Sequence, residues 1–333
     1  MRAASSLPFA AFIDFMEITY GYRSYRTDRG SSLTIGNFDG FHLGHQRILD
    51  TLVDASRASG TRSVLLSFQP HPLQLLAPDN APRAITPPEE KTRLLGASRL
   101  EVLAVLDFDR ALSRMTAEEF VREIVVGVFR AREVFVGSDF AFGYRRTGDV
   151  ALLQELGRRL DFQVRICPQV VVRGSRVSST RIRELIGAGR ISSANRLLGR
   201  FFSLKGKVVS GRGLGRESLF PTLNLRPGDE LIPRPGVYVT QATFTHQTHP
   251  AVTNVGWRPT VAGKDLTVET HLIDTSLDSP PDDLGLAFLH RLRDEERFGS
   301  LQQLRGQIAR DCQRTRRFFR LFKRLGRPLA PAG

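Results

Sequence analysis

The first half of the chain alternates short apolar runs with segments whose apolar residues recur at helical spacing. Residues 32–36, 62–68 (RSVLLSF), 102–108, 133–136 and 162–166 read as strands. Near-continuous apolar runs of this kind suit a parallel sheet covered on both faces. Between them, residues 45–59 place Ile48, Leu49, Leu52 and Val53 on one helical face, and residues 116–129 and 149–160 repeat that period. Thr86-Pro-Pro-Glu-Glu reads as a helix start, with Thr86 as cap and acids in the first turn. Such alternation predicts a doubly wound α/β domain. From about residue 200 the pattern changes. Residues 203–209, 236–244, 251–255, 266–273 and 285–292 read as short strands between turn residues, which predicts a small antiparallel barrel. A last helix, about residues 300–321, carries Leu301, Leu304, Ile308, Phe318 and Phe319 on its apolar side. Two short helices joined at Gly187-Ala-Gly fill residues 178–199. The expected domains are 16–185 and 186–326.

A length of 333 residues fits two domains, each able to bury its own core without a staple. Cys167 and Cys312 lie too far apart in sequence to suggest a disulfide framework. No stretch approaches the roughly 18–20 apolar residues of a membrane span. The first fifteen residues make a poor secretory signal, and Met16 is an equally good start. A cytoplasmic protein without a membrane partner is expected, as a monomer or weak homo-oligomer. The net charge of +14 invites a nucleic-acid reading, but only five of the 48 basic residues are Lys and the Arg are scattered. Anionic small substrates explain the balance equally well. The basic run at 314–324 reads as a solvated helix face above an apolar seam that includes Leu321, so no nucleic-acid partner is expected. His246 and His249 form an H-x-x-H expected in a hairpin turn, solvated.

The most informative stretch is GNFDGFHLGH (36–45), joining a strand to a helix. Helix N-termini favour phosphate through free N–H groups and the helix dipole. Gly36, Gly40 and Gly44 let backbone approach the phosphate. His42 and His45 are placed to stabilise charge developing there. A zinc pair is disfavoured because no other ligand cluster accompanies them. A second element, VSSTRIR (177–183), opens a helix that Ser178 or Ser179 can cap. Its hydroxyls and Arg also suit the β,γ-phosphates of ATP. In the second half, Thr222 and Asn224 share a face of an extended segment, and their oxygens suit Mg²⁺ together with phosphates and water. The turn GRGLGR (211–216) is Gly-rich but is not a Walker A motif.

With these motifs the chain resembles the bacterial bifunctional riboflavin kinase/FAD synthetases. The segments that carry the resemblance occur in the family's order: GNFDGFHLGHQ (36–46), SFQPHP (67–72), VGSDFAFG (136–143), VSSTRIR (177–183), LLGRFF (197–202), FPTLN (220–224), NVGWRPT (254–260), VETHLID (268–274) and LRDEERF (292–298). The resemblance implies that the first domain adenylylates FMN to FAD, and that the second phosphorylates riboflavin with ATP and Mg²⁺. It assigns His42 and His45 to the transferred phosphate, with Gly36, Asn37, Phe38 and Gly44 beside the nucleotide. Arg176, Ser179, Thr180 and Arg183 go to the ATP phosphates. Phe68, His71, Asp139, Phe140, Phe142 and Arg293 go to the flavin neighbourhood. Of these, Phe68 and Phe142 are candidate stacking partners for an isoalloxazine ring, although for any single Phe core packing is the favoured reading. In the second domain it gives Gly211, Gly215 and Arg216 to ATP, Thr222 and Asn224 to the metal, and makes Glu269 the base for the riboflavin 5′-hydroxyl.

The second half departs from the family pattern. Leu219 and Leu223 stand where it has Gly and Ala, and residues 279–285 replace its Leu-Tyr-Gly turn. A Leu beside a nucleotide could narrow the site. The alternative reading is therefore an adenylyltransferase with an impaired kinase. A basic RNA-binding or flavin-responsive regulator on the same fold is a further reading, opposed by the intact histidine and Ser-Ser-Thr elements.

Overall fold

The computed structural model describes residues 16–23, 25–209, 222–260, 263–277 and 279–325. The chain forms two compact units that divide between Ser178 and Ser179.

The first unit is a six-stranded sheet made of β1 (Glu17–Tyr20), β2 (Ser31–Ile35), β3 (Arg62–Gln69), β4 (Val102–Asp107), β5 (Ala131–Gly137) and β6 (Gln163–Cys167). The order is β1-β4-β3-β2-β5-β6, and every neighbouring pair is parallel. Strand alternation divides the apolar side chains between two layers. Leu33, Ile35, Val64, Leu66, Val102 and Ala104 pack with Phe120, Val121, Ile124, Val125 and Phe129. Leu65, Leu103, Val105 and Phe135 pack with Leu49, Leu52, Val53 and Leu95. One layer is α1 (Leu43–Ser59) and α3 (Pro88–Gly96). The other is α5 (Ala117–Glu119), which runs on as a π-helical Phe120–Val128, and α6 (Val150–Leu160). Both faces are covered, which is the doubly wound arrangement expected. Shorter α2 (Pro72–Leu76) and α4 (Arg110–Arg114) lie between, and a hairpin of β7 (Val171–Val172) and β8 (Ser175–Arg176) ends the unit. Strand order reverses between β2 and β5, so a crevice is expected at the carboxyl ends of those strands. The helix start near residue 86 differs from expectation. Pro87 holds the cap position without a side-chain bond, while the Thr86 N–H donates to Asp39 Oδ1 at 3.1 Å.

The second unit opens with α7 (Ser179–Gly187) and α8 (Ile191–Leu198), followed by a closed barrel and a long helix. The barrel strands are β9 (Phe202–Val209), β10 (Leu223–Pro227), β11 (Gly236–Phe244), β12 (Gln247–Thr260), β13 (Gly263–Leu272) and β14 (Asp283–Arg293), in the order β10-β13-β12-β11-β14-β9. All ladders are antiparallel. Thr240, Thr253 and Thr270 are fully buried and satisfy one another, with hydroxyl separations of 2.7 and 2.9 Å. His249 is not in a turn. It lies in β12, half-buried, with its ring stacked on Phe244 at 4.8 Å, while His246 occupies the exposed turn.

The last helix, α9 (Leu301–Arg324), is capped by Ser300, whose hydroxyl accepts from the Gln303 N–H. It covers the outer face of the barrel with Ile308, Cys312, Phe318, Phe319 and Phe322. Leu301 and Leu321 are 68% and 50% exposed, so they are not part of the seam. Helical rotation explains this: residues 311, 315 and 322 share a stripe, and position 321 falls one step off it. Within the stripe Asp311 is buried. It accepts from Arg293 Nε and Nη2 at 3.0 and 2.8 Å and from Gln307 Nε2 at 3.0 Å. Removing one partner of a buried pair leaves an uncompensated charge. Asp311→Ala is expected to cost about 3–5 kcal/mol. Arg316→Ala, which breaks an exposed pair with Asp274, should cost at most about 1 kcal/mol. Urea unfolding of the two variants checks this, and equal losses would contradict it.

Candidate active sites

The first site is built where β2 gives way to α1. Full burial of β2 carries the chain straight to Gly36, whose N–H donates to Leu66 O at 2.9 Å. The loop then turns sharply, with positive φ at Phe38, Gly40 and Phe41. At Gly40 a side chain would be strained and would press on Ile85. Asp39 secures the loop, its carboxylate accepting from the N–H groups of Ile85 and Thr86 at 3.0–3.1 Å. His42 is the N-cap of α1, and its Nδ1 accepts from the His45 N–H at 3.3 Å. A Cβ at Gly44 would meet the His42 ring at 3.1 Å, so this glycine makes room for the imidazole.

The two rings stack with centroids 3.6 Å apart, and Phe38 stacks on the other side of His45 at 4.4 Å. His42 is 5% exposed. The His45 ring is enclosed between two neighbours even though the residue as a whole is only half-buried. Burial first, then the adjacent His42, then the cation of Lys91 hold His45 well below the ordinary histidine range. His45 is therefore neutral at pH 7. Its Nδ1 and the Asn37 Oδ1 are buried without a hydrogen-bond partner among the described residues. Lys91, from α3, donates to Asn37 O at 3.2 Å and Ser67 Oγ at 3.1 Å. Burial lowers its pKa while Asp39 partly opposes the shift.

Around the crevice, half-buried Phe68 precedes the last residue of β3, with its ring edge-on to Phe108 at 5.8 Å. His71 caps α2, accepting from the Leu73 N–H. After β5, exposed Asp139 pairs with Arg176 at 2.7 Å, joining two residues that the resemblance gave to different ligands. Phe140 is half-buried and stacks on Phe142 at 5.3 Å, while Phe142 is 8% exposed against Phe120. Phe142 thus sits beneath Phe140 as core. In the second unit, Ser179, Thr180 and Arg183 lie in the first turns of α7, with Ile182 of the same turn buried.

The second site lies on the outer surface of the barrel. Leu223, Leu225, Val268 and Thr270 are buried inside it, so the alternate residues face outward. Asn224 stands directly opposite Glu269, and Asn254 of β12 stands opposite Glu269 on its other side. The three form one polar row, each half-buried. Gly256 leaves room for the Glu295 carboxylate, which lies beside Asn254. Thr222 is exposed just before β10. Gly211, Gly215, Arg216 and Leu219 lie outside the described residues. Leu223 does not reach this row, because its side chain belongs to the barrel interior. Arg293 is held by Asp311 and, through Nη1, by the Asp294 carbonyl at 2.9 Å. It fixes the end of β14.

Sequence reading missed Lys91, Asn254 and Glu295. Asn254 and Glu295 fall within the NVGWRPT and LRDEERF segments; only strand register places Asn254 opposite Glu269, and only the packing at Gly256 brings the Glu295 carboxylate beside Asn254. Lys91 sits in an unremarkable helix and carries no motif.

Because folding lowers the His45 pKa, the unfolded chain binds the extra proton first. The stability contributed by neutral His45 is present above pH ~6.5 and is lost as pH falls from there toward the folded value. Imidazole NMR across pH 5–8 is expected to show His45 neutral at pH 6.5. A half-protonated His45 at that pH would contradict the burial argument.

The chain matches the FAD synthetase family over residues 24–181 and the riboflavin kinase family over residues 198–319. The bifunctional riboflavin kinase/FMN adenylyltransferase of Escherichia coli is 36% identical over 90% of this chain and 96% of its own. That of Pseudomonas fluorescens is 36% identical over 90% and 97%. A Streptococcus pneumoniae crystal structure described as a macrolide-efflux protein superposes with a TM-score of 0.82 at 30% identity, covering 91% of this chain and 99% of that one. No helix among the described residues is long and apolar enough to cross a membrane. Two family matches in tandem and full-length relatives above 30% identity agree: the chain belongs to the bifunctional riboflavin kinase/FMN adenylyltransferase family.

Proposed function

We propose that the second unit transfers the γ-phosphoryl group of ATP to riboflavin, and that the first unit adenylylates the resulting FMN to FAD. The observation that carries this reading is that each unit has its own polar cluster at a place suited to phosphate chemistry: stacked histidines at a helix N-terminus, and the Asn224–Glu269–Asn254 row.

In adenylyl transfer, an FMN phosphate oxygen attacks the α-phosphorus of ATP, a P–O bond to the β-phosphate breaks, and pyrophosphate leaves. No proton must be removed from a phosphate dianion, so a neutral His45 is consistent with the step. His42, His45 and the N–H groups of the α1 terminus are placed to donate to the α-phosphate as charge builds on it. Gly36, Asn37, Phe38 and Gly44 shape that cradle. Arg176, Ser179, Thr180 and Arg183 are assigned to the remaining phosphates by the family's motif. Phe68, His71, Asp139 and Phe140 are assigned to the flavin side, with Phe142 as support beneath Phe140.

In the kinase step, Glu269 takes the proton of the riboflavin 5′-hydroxyl, its oxygen attacks the γ-phosphorus, and ADP leaves. The all-oxygen set of the Thr222 hydroxyl and the Asn224 amide fits Mg²⁺, which prefers few protein ligands alongside phosphates and water. When bound, that ion supplies charge neutralisation on the phosphates. Residues 211–216 are assigned to ATP on the motif alone. The impaired-kinase alternative gains no support: Leu223 is directed into the barrel and the relatives are bifunctional.

Two variants separate the sites. Glu269→Gln should lower FMN formation from riboflavin at least about 100-fold and leave FAD formation from added FMN unchanged. His42→Ala should do the reverse, lowering FAD formation about 100- to 1,000-fold. Each is read by chromatography of the flavins. A single variant that removes both activities in a folded protein, or neither, would contradict the two-site reading.

A further inference from the structure

Lys91 occupies a position that folding alone does not favour. It is the fourth residue of α3, in the first turn, where the helix dipole is unfavourable to a cation. It is largely withdrawn from water, which costs free energy for an ammonium group. The carboxylate that acts on it, Asp39, accepts from the N–H groups of Ile85 and Thr86, and no ion pair to Lys91 forms among the described residues. What Lys91 does contact is the site. Its Nζ bridges the Asn37 carbonyl of the phosphate-facing loop and the hydroxyl of fully buried Ser67 on β3.

We propose that Lys91 is a positioning residue for adenylyl transfer, clamping the Asn37 carbonyl to the Ser67 hydroxyl and so holding the loop that carries His42 and His45. This rests on the assignment of the Gly36–His45 loop to the transferred phosphate. Two consequences follow from the geometry. The loop cannot relax away from β3 while the bridge is made, so Asn37, Phe38 and the α1 terminus keep their places. The charge also acts on His45, whose charged and titratable surroundings are His42 on its own helix start and Lys91 from α3, with Asp39 opposing at Lys91. Both cationic influences oppose protonation of His45. The imidazole thus stays a neutral hydrogen-bonding group when an anionic nucleotide arrives, and the field at the phosphate comes from a lysine that is not consumed in the step.

Lys91→Met keeps the volume and removes the charge. Thermal unfolding is expected to stay close to the parent midpoint, since relief of the buried cation offsets the hydrogen bonds lost at Asn37 O and Ser67 Oγ. FAD formation from FMN and ATP should fall about 10- to 100-fold, as for a lost charge-assisted hydrogen bond. FMN formation from riboflavin, in the other unit, should be unchanged. The His45 imidazole resonance, identified by its loss in His45→Gln, should titrate at higher pH in Lys91→Met, and the acid limb of the FAD-formation profile should move up with it. Lys91→Arg should restore most of the rate and the parent titration, and Lys91→Gln replaces the Met variant if that one does not fold. An unchanged rate and pH profile in Lys91→Met would overturn the proposal. So would a lost rate with an unmoved His45 titration and a lowered midpoint, which marks a purely structural lysine. If His42→Ala still forms FAD, it is the site assignment that fails, and the result is distinct from either.

Discussion

Two imidazole rings whose centroids are 3.6 Å apart disfavour a second positive charge between them, and the phosphate-facing loop of the first unit is built around that constraint. The fold meets it by enclosing His45 between Phe38 and His42, which removes solvation from the charged form, and by placing Lys91 nearby. The glycines on either side follow from the same requirement. Gly44 leaves space for the His42 ring, and Gly40 turns the loop with a positive φ against Ile85. Burial of β2 on both faces delivers this loop to the point where strand order reverses, so the constraint and the crevice coincide.

The barrel solves a different problem with a simpler device. Alternation along β10 and β13 sends Leu223, Leu225, Val268 and Thr270 inward and leaves Asn224 and Glu269 outward in register. Core and chemistry therefore occupy opposite faces of the same strands. The Leu223 side chain is on the interior side, away from the polar row.

Much of this is legible in the sequence. The central parallel strands were visible because burial on both faces writes them as near-continuous apolar runs, as in residues 62–68. β1 escaped because it is a four-residue strand, Glu-Ile-Thr-Tyr, with mixed exposure and no period. Loop chemistry at residues 36–45 and 220–224 was legible because glycines, histidines and oxygen ligands have few structural reasons to cluster so closely. Lys91, Asn254 and Glu295 were not, because their proximity to the sites depends on packing and register between segments distant in sequence. The apolar seam of α9 was misjudged at Leu301 and Leu321, since a helix with aromatic residues at adjacent positions leaves its buried stripe ambiguous. Phe142 shows the same limit: an aromatic in a motif can be the support beneath the contact residue.

The central claim is that one chain carries two consecutive phosphate chemistries on one flavin. It is tested most directly by incubating the purified protein with riboflavin, excess ATP and Mg²⁺ and separating the flavins over time. The account predicts FMN as a transient followed by FAD, with pyrophosphate released in step with FAD. Riboflavin that remains unchanged while added FMN is still converted to FAD would contradict it.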